Sequence, residues 1–429
     1  MEELTKAPEG TEIGLKPEGW KNPPNLGDLK KDLTEADSAH ERQKSKIKRW
    51  LDFRNIEGEG KPNTPKLGSE VQPRLIRKQN EWRYASLSEP FLASEDLFDV
   101  QPVTWEDVEA ARQNKLLLNH QINTKIDKVK FIDDYVRAAV DEGTAIVRVG
   151  WEFEEEEITK TVPVVEFEPR PDLEPLFLEI EEMLQDNPTG YQQEVPEELQ
   201  QAHEYYKQTG IPTQPIVTGT EEITEMRTVR NCPTLEVCDY RNVIIDPSCG
   251  NDYNKAKFII FSFETSLSDL RREGNKYQNL DKVDFNTSSP LSDADHETRD
   301  NSDFNFSDDP RKRLVAYEYW GYWDYDGSGI AKPFVATWVG NTMIRLEESP
   351  FPDKKLPFIF VQMLHNRQSP YGEPDGELLI ENQKIIGAVT RGMIDIMAKS
   401  ASGQTGTQKG ALDAVNRRRF QMGKDYEYN

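Results

Sequence analysis

Histidine and cysteine are scarce in this chain, five and three residues among 429, and the scarcity removes several chemistries. His40, His120, His203, His296 and His365 form no HxH or HExxH spacing, the patterns that bring two imidazoles to one metal. Cys232, Cys238 and Cys249 are odd in number and lack CxxC spacing. They indicate neither a disulfide framework nor a zinc site, and they fit a reducing cytoplasm of origin. No apolar run reaches 18 residues, too little for a simple membrane-spanning helix. The acidic N-terminus lacks the charged start and apolar core of a secretory signal, so the chain reads as soluble with no membrane partner. Positive charge is also in deficit. Lys plus Arg total 53 against 77 Asp plus Glu, a formal net charge of −24. A chain this acidic does not grip DNA by releasing counterions from phosphates. The hydrophobic fraction, 36%, is low for a globular protein. With 27 Pro and 26 Gly, it implies long loops or surfaces that partners cover.

Against this background one stretch stands out, Leu356 to Lys399. An apolar run, Leu356–Leu364, enters a turn-rich segment, Ser369–Gly376, and a long helical pattern leaves it. Pro374 sits where proline is tolerated at a helix start, and Glu377 suits the positive end of the helix dipole. Glu377, Glu381, Lys384, Ala388, Arg391, Asp395 and Lys399 recur every three or four residues and form one narrow stripe. Most other positions are apolar, so this helix must be covered over most of its circumference. Gly387 and Gly392 permit close approach of a neighbour, at about 1 kcal/mol of helix propensity each.

Elsewhere the chain alternates helical and extended patterns. Residues 1–37 read as an arm. Helices are expected over 39–53, 74–87, from a Thr104/Asp107 cap to about 121, and from about 124 to a glycine cap at Gly143. A strand follows over 145–153, and a second near 158–167 completes a hairpin. Residues 152–226 form an acidic insertion with 17 net negative charges, and helices are plausible at 173–184 and 197–208. Its carboxylates have no catalytic or calcium-loop spacing, and a solvated face is the default reading. Short strands follow at 235–237 and 243–245, the second closed by an Asp246-Pro247 turn. Another runs over 258–263, before a short helix capped by Thr265 or Ser266. Residues 280–310 read as a polar loop, and an aromatic β-meander begins at Leu314, with a hairpin signal at Asp326-Gly327. In the stretch 400–410, Gln408 precedes Lys409 and Gly410 follows it, so the Gly-Lys-Ser/Thr of a phosphate loop is missing. Between Lys384 and Lys424, eight Lys/Arg face two Asp, a local basic excess in an acidic chain.

Two groups of motifs carry a family resemblance. One is the order strand, Tyr371-Gly372, Gln383, long mixed helix. The other is the order helix over 74–87, paired helices, Gly143-Thr144-Ala145 opening a strand to Trp151, then Tyr240-Arg241-Asn242 before an apolar triplet ending in Asp246-Pro247. In this order the chain resembles the portal proteins, or head-to-tail connectors, of short-tailed double-stranded DNA phages, over about residues 70–425. The family pattern often has Asn four residues after the Gln, where this chain has Gly387. The resemblance implies an α+β, portal-like fold with an α/β wing, a small β clip and a long stem/tunnel helix. It divides the chain into an N-terminal arm, partly disordered (1–70), a wing (71–265, holding the 152–226 insertion) and a helix and polar loop (266–310). A β-rich clip (311–365), the stem/tunnel helix (366–402) and a tunnel loop opening a C-terminal region (403–429) follow. Members continue past the tunnel region, which leaves room for chain beyond Asn429.

The function implied is a ring, a dodecamer as the family usually has it, at the portal vertex of the virion capsid, made in the host cytoplasm. Viral genome packaging and ejection would pass double-stranded DNA through its channel. The partners would be the terminase large subunit, the major capsid protein and a head–tail adaptor. No cofactor, metal or catalytic residue is implied. Candidate channel residues are Lys384, Arg391, Lys399 and Lys409, and candidate partner contacts in the clip are Tyr319, Trp323, Tyr325 and Trp338. Two other classes stay open at this point: another virion head–tail adaptor or structural protein, and a phage nuclease or hydrolase. Against the last, no nucleophile elbow is present and Pro352-Asp353 lacks a downstream Glu-x-Lys.

Overall fold

The computed structural model describes residues 14–64, 68–169, 213–283, 305–401 and 412–421, short stretches at 175–177, 202–203, 205–207, 210–211 and 295–298, and positions 180 and 410. The chain divides into two compact units, Trp151–Pro233 and the remainder. The class is α+β, as expected.

In the larger unit, α1 (Leu26–Asn55) starts well before the expected 39. Leu26, Leu29, Leu33, Ala36, His40, Ile47, Trp50 and Phe53 are buried at helical spacing. The density of Pro, Gly and charge in the first 37 residues hides this stripe. Helix α2 (Leu75–Leu92) carries Pro90 in its last turn. Thr104 and Asp107 form the expected capping box, ahead of α3 (Val108–Thr124). Helix α4 (Lys128–Glu142) is capped by the Asp127 side chain, which accepts from Lys130 N at 3.1 Å, and ends on Gly143 at φ +79°. Ile132, Val136, Ala139 and Val140 are buried as expected, whereas Val129 is exposed.

Strand β1 (Thr144–Pro169) runs without a break through the site of the expected hairpin turn. Its partner is β2 (Thr213–Cys238). The local sequence explains the difference: Glu154–Glu157 offers no turn residue, and the return strand begins only at Thr213, within the insertion. At its start β1 pairs antiparallel with β8 (Phe358–Gln362), Ala145 opposite Val361. A five-stranded antiparallel sheet holds β3 (Val243–Ile245), β4 (Phe258–Ser266), β5 (Arg313–Trp323), β6 (Lys332–Val339) and β7 (Thr342–Glu348), in that order. The meander expected as a separate clip therefore shares its sheet with β3 and β4, which were expected in the wing. Nine residue pairs join β4 to β5, from Phe258–Gly321 to Ser266–Arg313. Between them, Ser266 caps the short α5 (Leu267–Arg272).

Both faces of this sheet are covered. The first half of α1 packs Leu26, Leu29 and Leu33 against Tyr317, Tyr319, Phe334 and Trp338. Its second half places Ile47, Trp50 and Phe53 with Ile245, Ile259, Phe261, Phe358 and Phe360. The helix passes the β3 edge at His40, whose Nε2 lies 2.8 Å from the Arg241 carbonyl. Burial lowers the His40 pKa, so the ring is neutral and donates there. Arg148 of β1 bonds Glu318 Oε2 of β5 at 3.1 Å, while Trp320 Nε1 donates to Glu318 Oε1 at 2.7 Å. Helices α6 (Asp375–Ala401) and α7 (Ala414–Gln421) complete the described chain.

Removing the Glu318 charge leaves Arg148, a half-buried cation, with Glu236 at 3.9 Å as its remaining carboxylate. Glu318→Gln is expected to cost about 3 kcal/mol, read as a lower denaturant midpoint at unchanged slope. An unchanged midpoint would show the pair to be incidental.

Candidate functional site

The long helix α6 meets the rest of the larger unit along one stripe, Gly376, Ile380, Gln383 and Gly387, all buried. Gln383 is at the centre and is fully buried. Its Nε2 donates to the carbonyl of Phe53 at 2.8 Å, and its Oε1 accepts from the amide of Ile76 at 3.0 Å. Phe53 lies in the last turn of α1 and Ile76 in the first turn of α2. Both groups belong to the helix-end set that no intrahelical partner satisfies. One side chain on α6 thus caps two other helices.

A segment leading into α2 is fastened along the same face. Gln72 Nε2 donates to the Gln383 carbonyl at 2.8 Å, and Gln72 Oε1 accepts from Arg391 Nη1. Ser69 N donates to Asp395 Oδ1 at 2.8 Å. Gly387 makes room for this segment, since a Cβ there would lie 2.0 Å from Gln72 Oε1. Its close neighbour lies within the same chain. Gly392, one turn on, has open space around it.

The start of α6 is held by charge. Arg83 Nε bonds Asp375 Oδ2 at 2.6 Å, and Trp50 Nε1 donates to Glu377 Oε2. Just before it, Tyr371-Gly372 meets Gly143-Thr144. Gly372 N donates to Thr144 Oγ1 at 2.8 Å, and Gly143 O accepts from Met363 N at 2.9 Å. A Cβ on Gly143 would meet the backbone of Gly372 and Glu373 at 2.9 Å, and one on Gly372 would meet Gly143 O at 2.7 Å. The two motifs that carry the resemblance therefore touch, backbone to backbone.

The opposite side of α6 is apolar, and among the described residues nothing buries it. Leu378, Ile385, Ile386, Val389, Met393, Ile396 and Met397 are exposed, Met397 to 70%. Contiguous exposure of this kind marks an interaction surface.

The four candidate channel residues are not equivalent. Lys384 Nζ pairs with Glu381 at 2.8 Å and lies 5.0 Å over the Phe53 ring. Arg391 turns inward to Gln72, and Lys399 is exposed near the helix end. Lys409 lies outside the described residues. Of the candidate partner contacts, Tyr319, Tyr325 and Trp338 are buried within the subunit. Tyr319 donates to Asp32 Oδ2 at 2.8 Å, Tyr325 stacks on Trp20 at 4.0 Å, and Trp338 stacks on Tyr317 at 5.4 Å. Trp323 is half-buried and donates to the Asn22 carbonyl at 3.0 Å. The partner-contact expectation is corrected for the three buried rings: they are used in holding the N-terminal segment to the sheet.

A cavity of about 620 Å³ beside α4 and β4 gathers Asp127, Asp134, Glu264, His296 and Arg313. Burial opposes the Glu264 charge, but Arg313, bonded at 2.8 Å, outweighs it and holds the carboxyl below its usual range. Among the described residues no group of three His, Cys, Asp or Glu is arranged to hold a metal. A second polar hub, missed from sequence, is Asp141, which takes Asn80 Nδ2 at 2.8 Å, Tyr84 OH, and Arg54 at 3.1 Å.

Residues 25–429 match the family model described as Phage SU10 portal protein.

The glycines separate two kinds of close approach. Gly143→Ala is expected to cost about 3 kcal/mol, from a left-handed φ and immovable backbone neighbours. Gly387→Ala displaces only a side-chain amide, about 1–2 kcal/mol of lost bonds offset by about 1 kcal/mol of helix propensity. Gln383→Ala strips both helix ends and is expected to cost about 3 kcal/mol. Thermal or denaturant unfolding of the three variants gives the ranking; equal effects at the two glycines would overturn it.

Proposed function

Because the chain belongs to the Phage SU10 portal protein family, we propose that it forms a closed ring at one vertex of the phage capsid. Genomic DNA would be packaged and ejected through the channel of that ring, and terminase and a head–tail adaptor would dock on it. The observation that carries this reading is the uncovered apolar face of α6. A 27-residue helix extends about 40 Å, and among the described residues only one stripe of it is covered. A second copy covers the exposed side, and a ring of about twelve copies, each using two unlike faces, closes without leaving that surface wet. Gly392, open to solvent on the exposed side, is the notch where a neighbouring helix comes close.

In this reading α6 is the stem helix, and Lys384 and Lys399 approach the channel together with Lys409. Arg391 belongs to the inner face, where it braces Gln72. Three consecutive exposed arginines, Arg417–Arg419 on α7, add to the basic lining. A few cations in an otherwise acidic ring touch passing phosphates weakly, which suits a duplex that must slide. The reading assigns no catalytic residue or cofactor. Among the described residues no helix is long and apolar enough to cross a membrane.

Native mass and negative-stain images of the purified protein test this. Rings of about twelve copies with a central hole are expected. Met393→Glu combined with Ile396→Glu should leave monomers of unchanged fold, since two buried charges at each junction are costly. Rings formed equally well by the double variant would remove α6 from the interface and with it the basis of the proposal.

A further inference from the structure

Unit Trp151–Pro233 carries an exposed apolar face of its own. Its strand segments from β1 and β2 form a two-stranded ribbon. A ribbon of two strands is marginal in water unless something covers one face. Trp151 Nε1 donates to Asn231 Oδ1 at 2.8 Å, so these two side chains share a face. Arg230 pairs with Glu152 at 2.8 Å and with Glu154 at 3.7 Å, which defines the other face. Strand alternation then puts Phe153 and Val229 with Trp151. Trp151 and Phe153 are each 58% exposed and Val229 is 46% exposed. One face is thus aromatic and open, and the other is ion-paired.

Charge selects the occupant. Residues 152–226 carry 17 net negative charges, and of Glu154–Glu157 on β1, strand alternation puts Glu155 and Glu157 on the aromatic side. A like ribbon from a second copy would meet that charge head-on, and acidic edge residues are what keep such strands from pairing. DNA is repelled for the same reason. We propose that the Trp151/Phe153/Val229 face docks a different protein, one that offers apolar side chains rimmed by lysine or arginine. The inference rests on the reading of this chain as one that docks other proteins, and it names a surface for that role. Aromatic anchors supply the affinity, and the surrounding carboxylates steer and select a basic partner.

The test uses the full chain and a labelled synthetic peptide of alternating leucine and lysine, read by fluorescence anisotropy. Binding is expected to weaken as salt rises. Trp151→Ser with Phe153→Ser, which changes no charge, is expected to weaken it by about tenfold or more. Val229→Asn, on the facing strand, should act in the same direction and serves if the double variant unfolds. Equal binding by these variants would mean that charge alone attracts the peptide, and the proposal fails. It also fails if the peptide does not bind. Equal binding of an alternating leucine–glutamate peptide or of a short DNA duplex overturns the choice of partner. A lower native mass in the double variant would assign the face to a second copy instead. Ring formation by wild type, read from native mass, tests the portal reading separately.

Discussion

The amide of Gln383 is the constraint on which the arrangement of the long helix depends. It is fully buried, and its donor and acceptor are both spent on helix ends, the Phe53 carbonyl and the Ile76 amide. Few side chains can do this. A carboxylate would offer no donor to Phe53, and an apolar side chain would leave two helix termini unsatisfied. The consequence is geometric. Helices α1 and α2 are registered against one turn of α6, and Gln72, Arg391 and Asp395 extend that registration toward its far end. With one face committed to the body, the apolar remainder of α6 stays exposed among the described residues.

A second constraint acts before the helix begins. Gly143 and Gly372 bring two backbones into contact where β1 leaves α4 and where the chain turns into α6. Side chains at either position would push the strands apart. The contact ties the start of β1 to the start of α6, so α4, β1, β8 and α6 share one junction. The Gly143 amide plane is fixed by Met363 and the Thr144 hydroxyl by Gly372. This explains why small residues recur in two motifs that lie far apart in sequence.

Much of this was legible from residues alone, and the exceptions have physical reasons. Helix spacing gave α2, α4 and α6, and capping chemistry gave Thr104, Gly143 and Asp246. Asp246 does serve a turn, accepting from Ser248 N at 2.7 Å and Lys257 N at 2.9 Å. The α6 stripe was misleading because polarity along a helix does not say which polar residues face water. Arg391 and Asp395 look like solvent or channel residues, yet they bind the segment at 69–72. The aromatic meander misled in the same way. Its tyrosines and tryptophans suggested a partner surface, but α1 and the segment just before it, with Trp20 and Asn22, pack on them, and α1 began where proline and charge masked its apolar stripe. Hydrogen bonds between residues some 300 positions apart, such as Trp50 with Glu377, leave no local mark.

Charge is distributed unevenly enough to carry a division of labour. The 152–226 insertion holds 17 of the 24 net negative charges, so the rest of the chain carries seven. Within that rest, Lys384 to Lys424 is basic by six. The strongly repulsive field toward nucleic acid is therefore concentrated in the insertion, and the helix that lines the proposed channel sits in a nearly balanced body. At physiological salt, fields fade within about 8 Å, so each region acts on what comes close to it. On the proposed readings, a basic protein would be drawn to the ribbon, and a duplex passing α6 would meet a mild attraction rather than a trap. An average charge of this sign says little about either surface, because the two act locally and in opposite senses.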